Sequence, residues 1–155
     1  AALSGFVVSA GMMLVQAIAV ALAVIFAPGS APANTPAFCA IVVLAALSFA
    51  AIGQGARALC GRAAVPVLVF LLALQLVCAG SVLPASFASG AFEALGAVLP
   101  VPQLAEGLRG AMAGPASGAG GACVALTVWL AIGLAATVAA ARVRTHIRPE
   151  RVFAG

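Results

Sequence analysis

Residues 82–118 read VLPASFASGAFEALGAVLPVPQLAEGLRGAMAGPASG, a stretch too polar to cross a bilayer and too short and apolar to form an ordinary soluble domain. It contains Glu93 and Glu106, two of the three acidic residues of the chain. Prolines at both ends and in the middle, Pro84 and Pro100 among them, divide it into two pieces of helical length. This pattern predicts a helical hairpin that dips into a membrane protein.

The composition around this stretch is that of a membrane protein. Of 155 residues, 65% are hydrophobic and only 6% are charged, and the mean hydropathy is +1.27. A soluble domain carries about 25% charged residues because its surface must be hydrated. We therefore expect a lipid bilayer to be the main partner. The net charge of +4 then reports on loop orientation, and no nucleic acid partner is expected.

Four apolar runs are long enough to cross a bilayer, whose hydrocarbon core of about 30 Å requires about 20 apolar residues in a helix. They cover residues 3–26, 37–56, 63–82 and 122–141. The runs are rich in Ala and Leu and lack the alternation typical of strands, and lipid requires every backbone group to be bonded internally. The sequence therefore predicts one all-α membrane domain, residues 1–155, with four transmembrane helices.

The arginines indicate an orientation for these helices. Six of the seven fall on one side of the predicted membrane: Arg57, Arg62, Arg142, Arg144, Arg148 and Arg151. Arg109 alone falls on the other side. The positive-inside rule therefore predicts a cytoplasmic tail, residues 142–155, and an outer hairpin, residues 83–118. The six arginines would also contact anionic headgroups, at about 1 kcal/mol each.

Both pieces of the hairpin have an apolar face. In the first piece the residues that share this face are Phe92, Leu95 and Leu99, and in the second they are Leu104, Leu108 and Met112. Glu106 and Arg109 are three residues apart and can pair on the opposite side, a pair worth about 0.2–0.5 kcal/mol. Two interpretations are open: a loop of interfacial helices, or a re-entrant hairpin packed against the bundle.

The predicted spans carry no ionisable side chain in their cores, and the polar residues Gln16 and Gln75 lie well inside them. These two glutamines either line a pathway or form interhelical hydrogen bonds, which are worth about 0.6 kcal/mol on average. Ionisable groups within spans usually mark ion pathways, so their absence disfavours a proton- or sodium-coupled transporter.

No catalytic or cofactor site is predicted. The chain has one histidine, His146, which by itself cannot form a histidine-based metal site. It has no lysine and no glycine-rich phosphate loop. We therefore expect neither an enzyme nor a metal or cofactor site, and ATP, if used, would be bound by another chain.

The ordered series Leu83-Pro84, Phe87, Phe92, Leu99-Pro100 and Glu106-Gly107-Leu108-Arg109, closed by a run of small residues, resembles the C-terminal membrane region of the YhgE/Pip family. Members of this family are bacterial membrane proteins related to the permeases of type 2 ABC transporters. The resemblance is strongest over residues 63–141. Where the family usually has Thr-Tyr and an Asp, this chain has Pro102, Gln103 and Glu106.

The resemblance implies a six-helix permease-like bundle in the bacterial plasma membrane, of which this chain supplies the last four helices. An N-terminal part of the same protein would supply the rest, and an ATPase subunit or a second copy would be a partner. The hairpin candidates are Pro84, Phe87, Glu93, Pro100, Glu106 and Arg109.

Three functions are then considered. The first is a permease-like subunit of an export or secretion-associated system, energised by another chain. The second is a non-transporting anchor or receptor for a large extracellular domain, as in phage infection. The third, half of a secondary transporter, is disfavoured by the uncharged spans.

Overall fold

The computed structural model describes residues 2–29, 31–78, 90–114 and 119–146, without the side chains of residues 2–5, 91–93 and 144–146. Over these ranges the chain is helical and contains no strand, which confirms the all-α prediction. The helices are α1 (Ala2–Phe26), α2 (Thr35–Cys60), α3 (Ala64–Cys78), α4 (Ala91–Val98), α5 (Pro100–Ala113) and α6 (Ala119–His146), and a short 3-10 turn, Gly61–Ala63, joins α2 to α3.

Three helical segments are long and apolar enough to cross a membrane: Phe6–Phe26, Thr35–Cys78 and Ala119–Val143. The middle segment joins the second and third predicted spans through the 3-10 turn. In it α3 is described over 15 residues, Ala64–Cys78. Residues 79–82 of the third predicted span lie outside the described residues.

Local sequence sets the limits of α2. The side chain of Asn34 accepts a hydrogen bond from the backbone N–H of Ala37 at 3.1 Å, and Pro36 occupies the first turn, where a missing N–H is harmless. At the other end Gly61 has a φ of +56°, a conformation that side-chain-bearing residues rarely adopt. The chain turns there, and Val65 and Leu68 of α3 return along the last turns of α2.

The closest packing is between α2 and α6, which run parallel. Ser48 lies 2.7 Å from the carbonyl oxygens of both Leu44 and Leu126, so its buried hydroxyl proton is shared between the two helices. One turn further along, Gly133 lies against the backbone of Ala51. A Cβ atom at Gly133 would be 2.5 Å from the carbonyl carbon of Ala51. Small residues therefore let the two backbones approach each other.

Helix α1 runs antiparallel to α2. Gln54, near the end of α2, donates a hydrogen bond to the hydroxyl of Ser9 at 2.8 Å, whereas Ala21 packs in a cluster with Phe38 and Ile41 near the start of α2. Apart from Gln16, the outward side of α1 is largely apolar, and Val15, for example, is 68% exposed. Such a surface suits contact with lipid.

The described arginines are divided between the two ends of the bundle. Arg57 and Arg62 lie where α2 ends and α3 begins, and Arg142 lies at the corresponding end of α6, because α2 and α6 are parallel. We call this the arginine end. Arg109, on α5, lies towards the opposite end, two residues before Ala111, whose carbonyl accepts the backbone N–H of Asn34 at 3.0 Å.

Candidate functional site: the junction between α4 and α5

The chain breaks between two short helices at Leu99. Leu99 has an extended backbone, with φ −72° and ψ 144°, as expected for a residue that precedes a proline. Pro100 then begins α5, where its fixed φ is already helical. Leu99 and Pro100 are both buried. The proline that divides the hairpin in the sequence is therefore also the point at which one helix ends and the next begins.

The last turn of α4 contains carbonyl groups that its own helix cannot satisfy. In a continuous helix the carbonyls of Gly96 and Val98 would accept the N–H groups of the residues four positions later. Those residues are Pro100 and Pro102, which have no N–H. The carbonyl of Ala97 would require the N–H of Val101, which bonds elsewhere. These carbonyls need donors from outside the helix.

Side chains supply these donors. The indole Nε1 of Trp129, on α6, donates to the carbonyl oxygen of Val98 at 2.8 Å. The amide Nε2 of Gln103, on α5, donates to the carbonyl oxygen of Ala97 at 3.0 Å and lies 3.5 Å from that of Gly96. The end of α4 is thereby bonded through protein groups.

The start of α5 is completed in the same way. Of its first three backbone nitrogens, those of Pro100 and Pro102 carry no hydrogen. The remaining N–H, of Val101, donates to the side-chain oxygen Oε1 of Gln75 at 3.3 Å. Gln75, on α3, is only 4% exposed. A buried glutamine thus caps α5 by bonding an N–H that lies 26 positions later in the chain.

The junction lies about halfway along the long helices. Trp129 is near the middle of the apolar segment Ala119–Val143, about 15 Å from its first residue at 1.5 Å per residue. From the junction α5 runs towards the end of the bundle opposite the arginine end. On the way Gly107 packs so closely against Ala122 of α6 and Ile41 of α2 that a Cβ atom would not fit without movement.

An ion pair lies on the exposed side of α5. Nη1 of Arg109 is 2.6 Å from Oε1 of Glu106, and both side chains are about two-thirds exposed, at 63% and 67%. An exposed pair of this kind contributes little to stability. It confirms that the two residues predicted to pair lie on the side of α5 away from the bundle.

The other predicted site residues are only partly described. Pro84, Phe87, Arg148 and Arg151 lie outside the described residues, and the side chains of Glu93 in α4 and Arg144 in α6 are not described.

The two span glutamines have different environments. Gln75 is buried at the junction, whereas Gln16 is exposed on α1, so the structure does not bring them together. The exposure of Gln16 differs from the expectation that it lines a pathway or forms an interhelical hydrogen bond. The reason is that, among the described residues, no helix covers that side of α1.

The described residues contain no cluster of three or more His, Cys, Asp or Glu side chains that could hold a metal ion. The four cysteines Cys39, Cys60, Cys78 and Cys123 are unpaired thiols. In comparisons with known proteins, the chain matches no family model, no curated protein and no solved structure.

Proposed function

We propose that this chain is a permease-like integral membrane subunit of a bacterial export or secretion-associated system, energised by another chain. In this proposal the α4–α5 junction is the tip of a hairpin that re-enters the bundle from its outer face. One observation carries the proposal: Gln75, Gln103 and Trp129 bond backbone groups of the junction that have no partner within their own helices, near the middle of the apolar segment Ala119–Val143.

The physical argument concerns where a broken helix can exist. In a water-exposed loop, solvent bonds the free backbone groups at helix ends, so no dedicated side chains are required. In the hydrocarbon region no water is present, and broken helices are tolerated only where protein groups bond the freed backbone. The α4–α5 junction meets that requirement, which favours the re-entrant hairpin over interfacial helices.

The arginine end supports an orientation and a four-span topology. Arg57, Arg62 and Arg142 lie together at one end, which the positive-inside rule assigns to the cytoplasm. Because α3 starts at that end and runs antiparallel to α2, we infer that residues 63–82 form a separate crossing. The hairpin would then enter from outside.

The YhgE/Pip resemblance supplies the functional class. Two residues at the positions of its Gly-Leu-Arg motif make specific contacts in this chain. Gly107 allows the close contact of α5 with α2 and α6, and Arg109 pairs with Glu106. In type 2 ABC permeases ATP is hydrolysed by a separate subunit. We therefore place the energy source in a partner ATPase.

The test is purification of the full-length protein from its native membrane in a mild detergent, followed by measurement of ATP hydrolysis. We expect an ATPase to co-purify in stoichiometric amount and its hydrolysis rate to depend on the presence of this chain. The control is the same ATPase with its phosphate-loop lysine replaced, which should co-purify but not hydrolyse ATP. If no ATPase co-purifies and no hydrolysis occurs, the export proposal is wrong, and the anchor or receptor alternative replaces it.

A further inference from the structure

A cavity of about 280 Å³ lies between α1, α2 and α3 at the arginine end of the bundle. We call it the inner groove. Its floor is formed by Phe49, Ala50 and Gly53 of α2, and its walls by Met13 of α1 and by Val65 and Leu68 of α3. The lining is mostly apolar. No heavy atom lies within 4 Å of the position that a Cβ atom at Gly53 would occupy, so the floor is open at this residue.

The groove is polar at one end only. Arg57 lines the end nearest the membrane surface, and the hydrogen-bonded pair of Gln54 and Ser9 lies about one turn deeper. From Arg57 to Phe49 the groove extends about 12 Å along α2, at 1.5 Å per residue. Among the described side chains the carboxylate of Glu106 is paired with Arg109, far from this groove, so Arg57 faces no described carboxylate.

We propose that the inner groove binds one acyl chain of an anionic phospholipid whose phosphate is held by Arg57. Arg57 at the mouth of the groove suits a negatively charged headgroup, and the apolar interior suits a hydrocarbon chain. Pockets that enclose whole small molecules usually measure about 300–1,000 Å³, so this groove suits a segment of an acyl chain and not a complete polar ligand. The site is independent of whether the protein exports anything.

The experiment is native mass spectrometry of the full chain in detergent, with phosphatidylglycerol or phosphatidylcholine added in equal amounts. We expect retention of one phosphatidylglycerol in preference to phosphatidylcholine. Arg57→Gln should weaken retention about fivefold, as expected for loss of one basic contact with an anionic headgroup. Gly53→Leu, which fills the floor of the groove, should weaken it at least as much.

Two matched variants serve as controls. Arg62→Gln removes an exposed charge from the same end of the bundle without touching the groove. Gly11→Leu adds the same side chain on α1. A Cβ atom at Gly11 also has open space, and Gly11 does not line the groove. Both controls should retain phosphatidylglycerol as the unmodified chain does.

Three results would overturn the proposal. Equal losses in Arg57→Gln and Arg62→Gln would mean general attraction of headgroups to positive charge. Full retention in Gly53→Leu would place the acyl chain elsewhere. Displacement of the lipid by glycerol phosphate at equal concentration would mean an anion site without a chain-binding groove. Should Gly53→Leu lower the melting temperature, Gly53→Val provides the same test with a smaller side chain.

Discussion

The indole of Trp129 and the amide of Gln75 take the place that water occupies at helix ends on a protein surface. Each is a polar group within an apolar helix, and each bonds a backbone group of a different helix. Such interhelical bonds average about 0.6 kcal/mol, and their removal leaves a backbone group of the junction without its partner. Their main effect is therefore to hold the chain break at one depth.

Replacement of Trp129 by Phe should destabilise the protein by about 0.5–1.5 kcal/mol, because the carbonyl of Val98 would lose its donor while the aromatic packing is largely retained. The measurement is thermal unfolding in a fixed detergent. Thr127→Val is the matched control, since the hydroxyl of Thr127 bonds only a carbonyl of its own helix, that of Cys123. Equal stability of Trp129→Phe and the unmodified chain would show that this bond contributes nothing.

Among the described helices, the parallel pair of α2 and α6 has the most extensive contact. Small residues and a serine that bonds the neighbouring backbone bring the two helices together, and Ile41 of α2 and Leu126 of α6 lie in the same buried cluster. In lipid there is no hydrophobic drive for two apolar helices to associate, so close backbone contact and hydrogen bonding must supply it. The pair also forms the surface against which α5 packs.

Gly133→Ala should destabilise this pair by about 1–3 kcal/mol, because the added methyl group would overlap the backbone of Ala51, which cannot move aside as a side chain can. Gly121→Ala, on the same helix, has open space at its Cβ position and should be neutral or slightly stabilising, since alanine favours helix by about 1 kcal/mol over glycine. The measurement is the melting temperature of each variant in detergent, compared with that of the unmodified chain. A Gly133→Ala variant as stable as Gly121→Ala would contradict the close contact.

Across the protein as a whole, the charged groups lie at defined levels along the axis of the bundle. The arginine end, the Glu106–Arg109 pair and the α4–α5 junction lie at three different levels along the bundle axis. If the arginine end is cytoplasmic, the ion pair is outside and the junction is in the hydrocarbon region. A labelling experiment can test all three levels together.

Single-cysteine variants, with the remaining native cysteines replaced by alanine, should react differently with a membrane-impermeant maleimide added to intact cells. Glu106→Cys should be labelled. Cys60, exposed at the arginine end, should be labelled only after permeabilisation. Val98→Cys should stay unlabelled in both conditions, although Val98 is 64% exposed in the protein, because lipid would cover it.

Each reversed result has a distinct meaning. Labelling of Cys60 from outside would invert the topology. Labelling of Val98→Cys from outside would place the junction in water and favour interfacial helices over a re-entrant hairpin. Solubilisation in denaturant, after which all three thiols should react, controls for the chemistry of the label.

The helices of the bundle could be predicted well because apolar runs, capping residues and prolines that are close in the sequence determine where they begin and end. The first predicted span, residues 3–26, matches α1 to within one residue, and α2 begins two residues earlier than predicted because Asn34 caps it. Pro100 and Pro102 indicate where two short helices must separate. The end of the third predicted span, residues 79–82, lies outside the described residues, so its limit stays a prediction.

The site could be predicted only in part. The polarity of Gln75 inside an apolar run indicates a hydrogen-bonding role, but its partner is 26 positions away in the sequence. Gln103 and Trp129 were not predicted as site residues. The sequence does show that Pro100 and Pro102 cannot donate to two carbonyls of α4, so other donors are needed. It does not show which residues supply them.

The long reach of these bonds has a consequence for the order in which the protein assembles. Trp129 follows Val98 by 31 residues, so a nascent chain that ends before α6 leaves that carbonyl without a donor. Gln75, by contrast, is already present when α5 emerges. We therefore expect the junction between α4 and α5 to be completed last, when α6 arrives beside α2 and Trp129 bonds the carbonyl of Val98.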